Sequence, residues 1–254
     1  MTVADAVTWL ARLAALATAV AALEMIVVHR AFGDDGVFRW ATLRRDLAGA
    51  PRPLRAVADL LFGTSGTWAI ALLQLACALA LPWLEHPAIA WLAVGCALAI
   101  SIRFRGSYNG GSDAMLLVVL IALAIARSGL PLAGLAYAAT QLVLSYFIAG
   151  VAKLGEPRWR DGTALPMLVT LPPYGVPARL AALVARLPRA VTWGMLAFEC
   201  GFPVALVDRT ACLVLLGAGA LFHLANAIIF GLDRFLWTWL AAYPALLFWV
   251  DRLT

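Results

Sequence analysis

Apolar residues run through this chain in long stretches, separated by short polar or proline-containing joints. Windows of about 19 residues mark eight apolar spans, at 6–28, 66–84, 87–104, 112–129, 131–152, 190–207, 210–231 and 233–250. A hydrocarbon layer needs about 20 consecutive apolar residues per helix, so each span predicts a membrane-crossing helix. The joints at 84–87 and 129–131 are tight and predict antiparallel hairpins. Pro82, Pro87 and Pro131 fall near helix ends, where a missing amide does little harm. The expected fold class is all-α: a polytopic helical membrane bundle of about eight transmembrane helices, forming one domain over residues 1–254.

Two connections do not span. In the stretch 33–63, Val37, Trp40, Leu43 and Leu47 recur at helical spacing with Arg39, Arg44 and Arg45 between them. That pattern predicts an interfacial amphipathic helix broken at Pro51-Arg52-Pro53, then a weaker repeat from Leu54 to Phe62. In the stretch 155–189, Pro166, Pro172, Pro173 and Pro177 cut the chain into short pieces. Leu180, Leu183, Val184 and Leu187 line one face of its last piece. Both connections read as lids lying on the membrane or as ordinary interfacial connectors.

Composition narrows the class. The chain is 64% hydrophobic and 13% charged, with a mean hydropathy of +0.91, whereas soluble domains carry about 25% charged residues. It reads as an integral membrane protein with the bilayer as its first partner. Asp5 stands where a cleavable signal carries basic residues, so the first span is expected to stay. The net charge of +5 sits in the joints and marks membrane-facing loops rather than a nucleic-acid footprint. With eight spans, all Lys and Arg except Arg12, Arg127, Arg209 and Arg252 fall on one side. The positive-inside rule then places both termini outside the cytoplasm, in a multi-pass protein of the cell inner membrane. Cys77, Cys96, Cys200 and Cys212 lie inside apolar spans without a CxxC pair, and the three histidines form no HExxH motif. No metal is expected, and buried cysteines act as small hydrophobes.

Ionisable groups inside apolar spans cost a few kcal/mol each and mark cavities or pairs. Here they are Glu24, Lys153, Glu199 and His223, with Asn226 three residues on from His223 on the same helical face. Gly219 leaves room on that face, and Tyr146 stands two turns before Lys153. Lys153 closes an apolar span behind Ala149-Gly150. It is either an anchor snorkelling to the interface or a desolvated amine usable as a base near neutral pH. A touching carboxylate would make it an ion-pair partner; an intervening apolar ligand would leave it a base. Arg103, Arg105 and the stretch Tyr108-Asn109-Gly110-Gly111-Ser112-Asp113 form a mouth between the third and fourth spans. There Gly110 and Gly111 offer amides, and Asp113 suits the start of a helix.

Tyr146-Phe147-Ile148-Ala149-Gly150 with Lys153-Leu154, then Trp159 and Gly162, resembles the core motif of the vitamin K-dependent gamma-carboxylases and of their bacterial relatives, the HTTM (horizontally transferred transmembrane) proteins. Glu199, Phe222-His223 and Asn226 fit the same order. The resemblance implies a helical membrane fold in which a lysine at the place of Lys153 deprotonates a vitamin K hydroquinone-like reduced quinone. Oxygen then adds, and the strong base so formed takes a proton from a glutamate before CO2 is captured. It implies catalytic roles for Lys153 and His223, and substrate-binding roles for Glu199, Asn226, Tyr146, Trp159, Asn109 and Arg103. Two departures narrow it. The carboxylases carry a histidine where Gly111 stands, and the chain stops at Thr254, where they carry a large substrate-holding region. The expectation is therefore quinol-type chemistry more than protein carboxylation. Two other classes are open: a non-enzymatic membrane partner in the maturation, immunity or export of a small peptide, and a small transporter.

Overall fold

The structure, a computed structural model, describes residues 1–104, 111–171 and 176–253, with residues 183 and 184 described as backbone only. Asn109, Arg105, Tyr108 and Gly110 of the expected mouth lie outside the described residues, as do Pro172, Pro173 and the side chains of Leu183 and Val184.

The described residues are helical and contain no strand. The helices are α1 (Val3–Val27), α2 (Trp40–Leu43), α3 (Arg52–Phe62), α4 (Thr64–Ala80), α5 (Pro87–Arg103), α6 (Ser112–Arg127), α7 (Pro131–Gly155), α8 (Pro157–Arg160), α9 (Ala164–Thr170), α10 (Ala178–Arg186), α11 (Pro188–Gly201), α12 (Arg209–Phe230) and α13 (Asp233–Leu253). Each expected apolar span coincides with a helix; the sixth runs through α11 and continues as a 3-10 stretch, Phe202–Leu206.

Helix is not the same as span, however. Among the described residues, α1, α7 and α12 are long and apolar enough to cross a membrane, and α3 with α4 adds a fourth if that pair, bent by 60°, is one span. The expected eight are not reached by length and composition. α4 and α5 have 17 residues, α6 has 16 and α11 has 14. A 17-residue helix rises about 25 Å, short of a hydrocarbon layer of about 30 Å. α13 has 21 residues but carries charges at both ends, from Asp233 to Arg252.

The expected amphipathic helix over residues 37–47 is mostly not α-helix. Only α2 forms, followed by a 3-10 turn at Arg44–Leu47. α3 is the regular piece, and Pro53 is tolerated in its first turn, where amides need no intrahelical partner. Leu54, Val57, Leu60 and Leu61 of α3 are exposed, while Ala58 and Phe62 pack with Trp40.

The chain forms two compact units, one of residues 11–134 and one of residues 1–10 with 135–254. In the first, α4, α5 and α6 pack as successive hairpins around Ala71, Ala78, Ala93, Val94, Val119 and Leu120. Arg103 is sealed at the end of α5. Its Nε donates to the Phe62 carbonyl at 2.9 Å and to Thr67 Oγ1 at 3.3 Å, and its Nη2 donates to the Phe38 carbonyl at 2.6 Å. The guanidinium also stands over the rings of Trp40 and Phe104. At the other end of these hairpins Arg127 donates to the carbonyls of Leu81 and Leu84, closing the C-terminus of α4. Gly134 lets the start of α7 lie against α6, since a Cβ there would collide with the Ala122 carbonyl and with Ala126.

In the second unit, α12 and α13 form a hairpin against the 3-10 stretch. Gly231, at φ +67°, ends α12, and the amides of Gly231 and Leu232 return to the carbonyls of Ala227 and Asn226. In the last turn of α13, Asp251 binds Arg209 and the N-terminal amine.

Removing a donor from a buried carbonyl costs about 1–3 kcal/mol. Arg103→Met is therefore expected to lower the detergent-solubilised protein's Tm by several degrees, and Gly134→Val to lower it further by forcing α7 from α6. Thermal unfolding followed by tryptophan fluorescence checks both, and unchanged midpoints would contradict these assignments.

Candidate functional site

α7 carries two polar points, both within the second unit. The first is Lys153. Its Nζ donates to both carboxylate oxygens of Glu199 on α11, at 2.6 and 2.7 Å. Glu199 is sealed at 3% side-chain exposure, whereas Lys153 keeps 23%. The open question about Lys153 is thus answered for this state: the two groups touch, and the lysine is an ion-pair partner.

Local sequence explains the contact. At Gly150 the two helices approach so closely that a Cβ would lie 2.8 Å from Cys200 N and Sγ and 2.9 Å from Glu199 Cβ. One turn further along α7, that approach puts Lys153 in reach of Glu199. Trp159 on α8 sets its ring 5.7 Å from Nζ, a cation–π contact that holds the ammonium from the other side. Trp159 also lines a cleft of about 330 Å³ with Glu156, Arg158, Met167, Leu168 and Leu171.

The connector that carries Trp159 is tied back to α11. Gly162 has φ +82°, and a Cβ there would meet Arg189 at 2.8 Å, so both its backbone and its surroundings call for glycine. Arg189 Nε donates to the Asp161 carbonyl, and Trp193 Nε1 donates to the Arg160 carbonyl. Hydrogen bonds from the Thr163 hydroxyl and amide hold the Asp161 carboxyl below its ordinary pKa.

The second polar point is Tyr146, buried two turns earlier on α7. It does not reach for the lysine's partner. Its hydroxyl lies 2.8 Å from His223 Nε2 and 3.2 Å from the Tyr243 hydroxyl. The cluster is packed in rings: Phe202 stacks on Tyr146 at 4.0 Å, and Trp239 lies 4.8 Å from His223. Gly219 provides the room expected on the His223 face, because a Cβ there would lie 2.6 Å from the Tyr243 hydroxyl and 2.7 Å from that of Tyr146.

The remaining expected residues fall elsewhere. Asn226 shares the His223 side of α12 but is half-buried, and among the described residues its side-chain amide makes no hydrogen bond. Arg103 belongs to the other unit, where it holds carbonyls of the connector. Glu24 lies on α1, half-buried, in the part that belongs to that other unit. Asn109 is outside the described residues. Two groups were not anticipated: Tyr243 and Trp239, one turn apart on α13. Their signal in the sequence is a hydroxyl and an indole N–H in the middle of an apolar span.

A sealed carboxylate that loses its cation is left as an uncompensated charge, which costs about 3–5 kcal/mol when both partners are fully buried. Because Lys153 keeps some exposure, Lys153→Met is expected to cost less, about 2–3 kcal/mol. Lys153→Met combined with Glu199→Met is expected to recover most of it. Denaturation of the two variants beside the parent protein in detergent checks the order, and a double variant no more stable than Lys153→Met would argue against the pairing.

A family model described as HTTM domain matches residues 115–251, more than half of the chain, and its range includes Tyr146, Lys153, Glu199, His223 and Asn226. No curated protein and no solved structure matches the chain. The match runs through the helices that carry the ion pair and the tyrosine–histidine cluster, and the chain belongs to the HTTM family.

Proposed function

We propose that this HTTM-family protein is a membrane enzyme that takes a proton from a lipid-soluble quinol, with Lys153 as the base. The observation that carries the reading is the bidentate contact of Lys153 with a sealed Glu199. As an ammonium–carboxylate pair the lysine accepts nothing. Transfer of one proton from Nζ to the carboxylate leaves a neutral amine beside a neutral acid, a form that exclusion of water favours over the charged pair. An apolar substrate entering by the Trp159 cleft supplies that exclusion. The amine then takes the quinol hydroxyl proton, and Lys153 returns to the ammonium. With dioxygen as the oxidant, quinol and oxygen yield quinone epoxide and water, the reaction that the family resemblance implies. His223 holds the substrate's oxygen-bearing ring, Tyr146 orients His223, and Asn226 extends that face.

The proposed setting is the bacterial inner membrane, with eight crossings and both termini outside the cytoplasm. The charge bias of the joints supports this arrangement. The short helices α4, α5, α6 and α11 would cross where the layer is locally thin. The same bidentate contact favours a second reading, in which Lys153 and Glu199 only clamp α7 to α11 and no turnover exists.

Membranes containing the protein, given vitamin K hydroquinone and oxygen, are expected to form epoxide, and Lys153→Ala is expected to form at least a hundredfold less, in line with loss of a general base. No epoxide from several quinols, or equal yield from the variant, would leave the clamp as the better reading. Labelling of cysteines introduced at each terminus tests the orientation: an impermeant reagent added to intact cells is expected to reach both.

A further inference from the structure

Hydrogen-bond direction in the tyrosine–histidine cluster assigns His223 a role that its identity alone does not. The contacts run in line, from the Tyr243 hydroxyl to the Tyr146 hydroxyl to His223 Nε2. His223 Nδ1 and Trp239 Nε1 are buried and have no partner, in side chains only 2% and 7% exposed. The line can point either way. If Nε2 carries the proton, it donates to Tyr146, Tyr146 donates to Tyr243, and the strong acceptor Nδ1 is left bare. If the phenols donate inward, Tyr243 donates to Tyr146 and Tyr146 donates to Nε2.

The second direction pairs the more acidic donor, a phenol with an ordinary pKa of about 10, with the more basic acceptor, an imidazole nitrogen at about 6.5. A phenol oxygen, a weak acceptor, and the N–H at Nδ1 are then left over. A neutral ring that accepts at Nε2 carries its proton on Nδ1. The indole nitrogen of Trp239 is a donor under all conditions. Two buried N–H donors without acceptors thus belong to neighbouring rings whose centroids are 4.8 Å apart. Native proteins seldom leave buried donors unpaired.

We infer that His223 Nδ1–H and Trp239 Nε1–H form a two-donor receiver for the carbonyl or phenolate oxygen of a flat ring. Phe222 and Phe235 frame the receiver, at 5.1 Å from His223 and 5.2 Å from Trp239, and supply stacking surfaces. Admitting the ring requires the near-parallel Phe235–Trp239 stack to part. Tyr146 and Tyr243 are positioning residues that fix the tautomer. Gly219 keeps their hydroxyls together. His223 is therefore a donor that steadies negative charge on oxygen, not a second base. The inference rests on the proposed reaction for the identity of its ligand. A 1,4-quinol carries oxygens at opposite ends of one ring, so one end addresses the receiver while Lys153, two turns beyond Tyr146 on α7, deprotonates the other.

The test uses the full chain, labelled with 15N-histidine, in phosphatidylcholine nanodiscs, with the signal of His223 identified by its loss in His223→Gln. At rest the ring is expected to show its proton on Nδ1, and Tyr146→Phe to lose that preference. Adding 1,4-naphthoquinone is expected to shift the Nδ1 signal saturably, while naphthalene, of the same shape without an acceptor, leaves it in place. Trp239→Phe is expected to weaken naphthoquinone binding about tenfold, as loss of one hydrogen bond does. A resting proton on Nε2, no shift with naphthoquinone, or the same shift with naphthalene would overturn the receiver. A shift without any epoxide removes the proposed reaction and keeps the receiver; epoxide without a shift does the reverse.

Discussion

The carboxylate of Glu199 is the constraint around which the second unit is arranged. A charge sealed among apolar helices is tolerated only with a partner held in close geometry, and the surrounding residues provide that geometry. Gly150 removes the side chain that would keep α7 from α11. Trp159 limits where the ammonium can go. The turn at Gly162, with the bonds from Arg189 and Trp193, holds the tryptophan's segment against α11. Motif residues from Gly150 to Gly162 thus serve one contact. Gly150 and Gly162 act by shape, and Trp159 acts by its ring face.

Tyr146 and Lys153 show how one helix keeps two chemistries apart. The lysine end of α7 is partly open and holds a charged pair, whereas the tyrosine is buried among rings and joins neutral groups. Separation along the helix keeps the charged pair, which meets solvent, apart from the buried neutral cluster.

The helical class and the place of each long apolar helix were legible because long apolar runs leave no alternative for the backbone in lipid. The number of crossings was not, because a window of hydropathy ignores where a helix stops: α11 yields to a 3-10 stretch at Phe202-Pro203, and α4 begins only after the bend at Gly63. Lys153, Glu199 and His223 stood out as costly residues in apolar surroundings, and the family motif tied them to one another. What spacing along the chain could not decide was partnership. Tyr146 and Lys153 lie on one helix, yet the tyrosine binds His223 and the lysine binds Glu199. Tyr243 and Trp239 were passed over because aromatic residues in a span ordinarily read as packing, and only their neighbours reveal the polar atoms as a set. Arg103 reads in the sequence as part of a mouth; its hydrogen bonds to Phe38 and Phe62 of the connector and to Thr67 of α4 are tertiary and leave no trace in local pattern.

Those bonds of Arg103 also have a bearing on how the chain is made. The carbonyls of Phe38 and Phe62 leave the ribosome 65 and 41 residues ahead of the guanidinium that satisfies them. Until α5 is synthesised, the connector has no buried cation to gather it, and its exposed apolar residues on α3 are free to rest on the membrane surface. The Arg103 bonds of the connector therefore form only once the third apolar helix is present, and Arg103 ties the order of synthesis to the bracing of the finished unit.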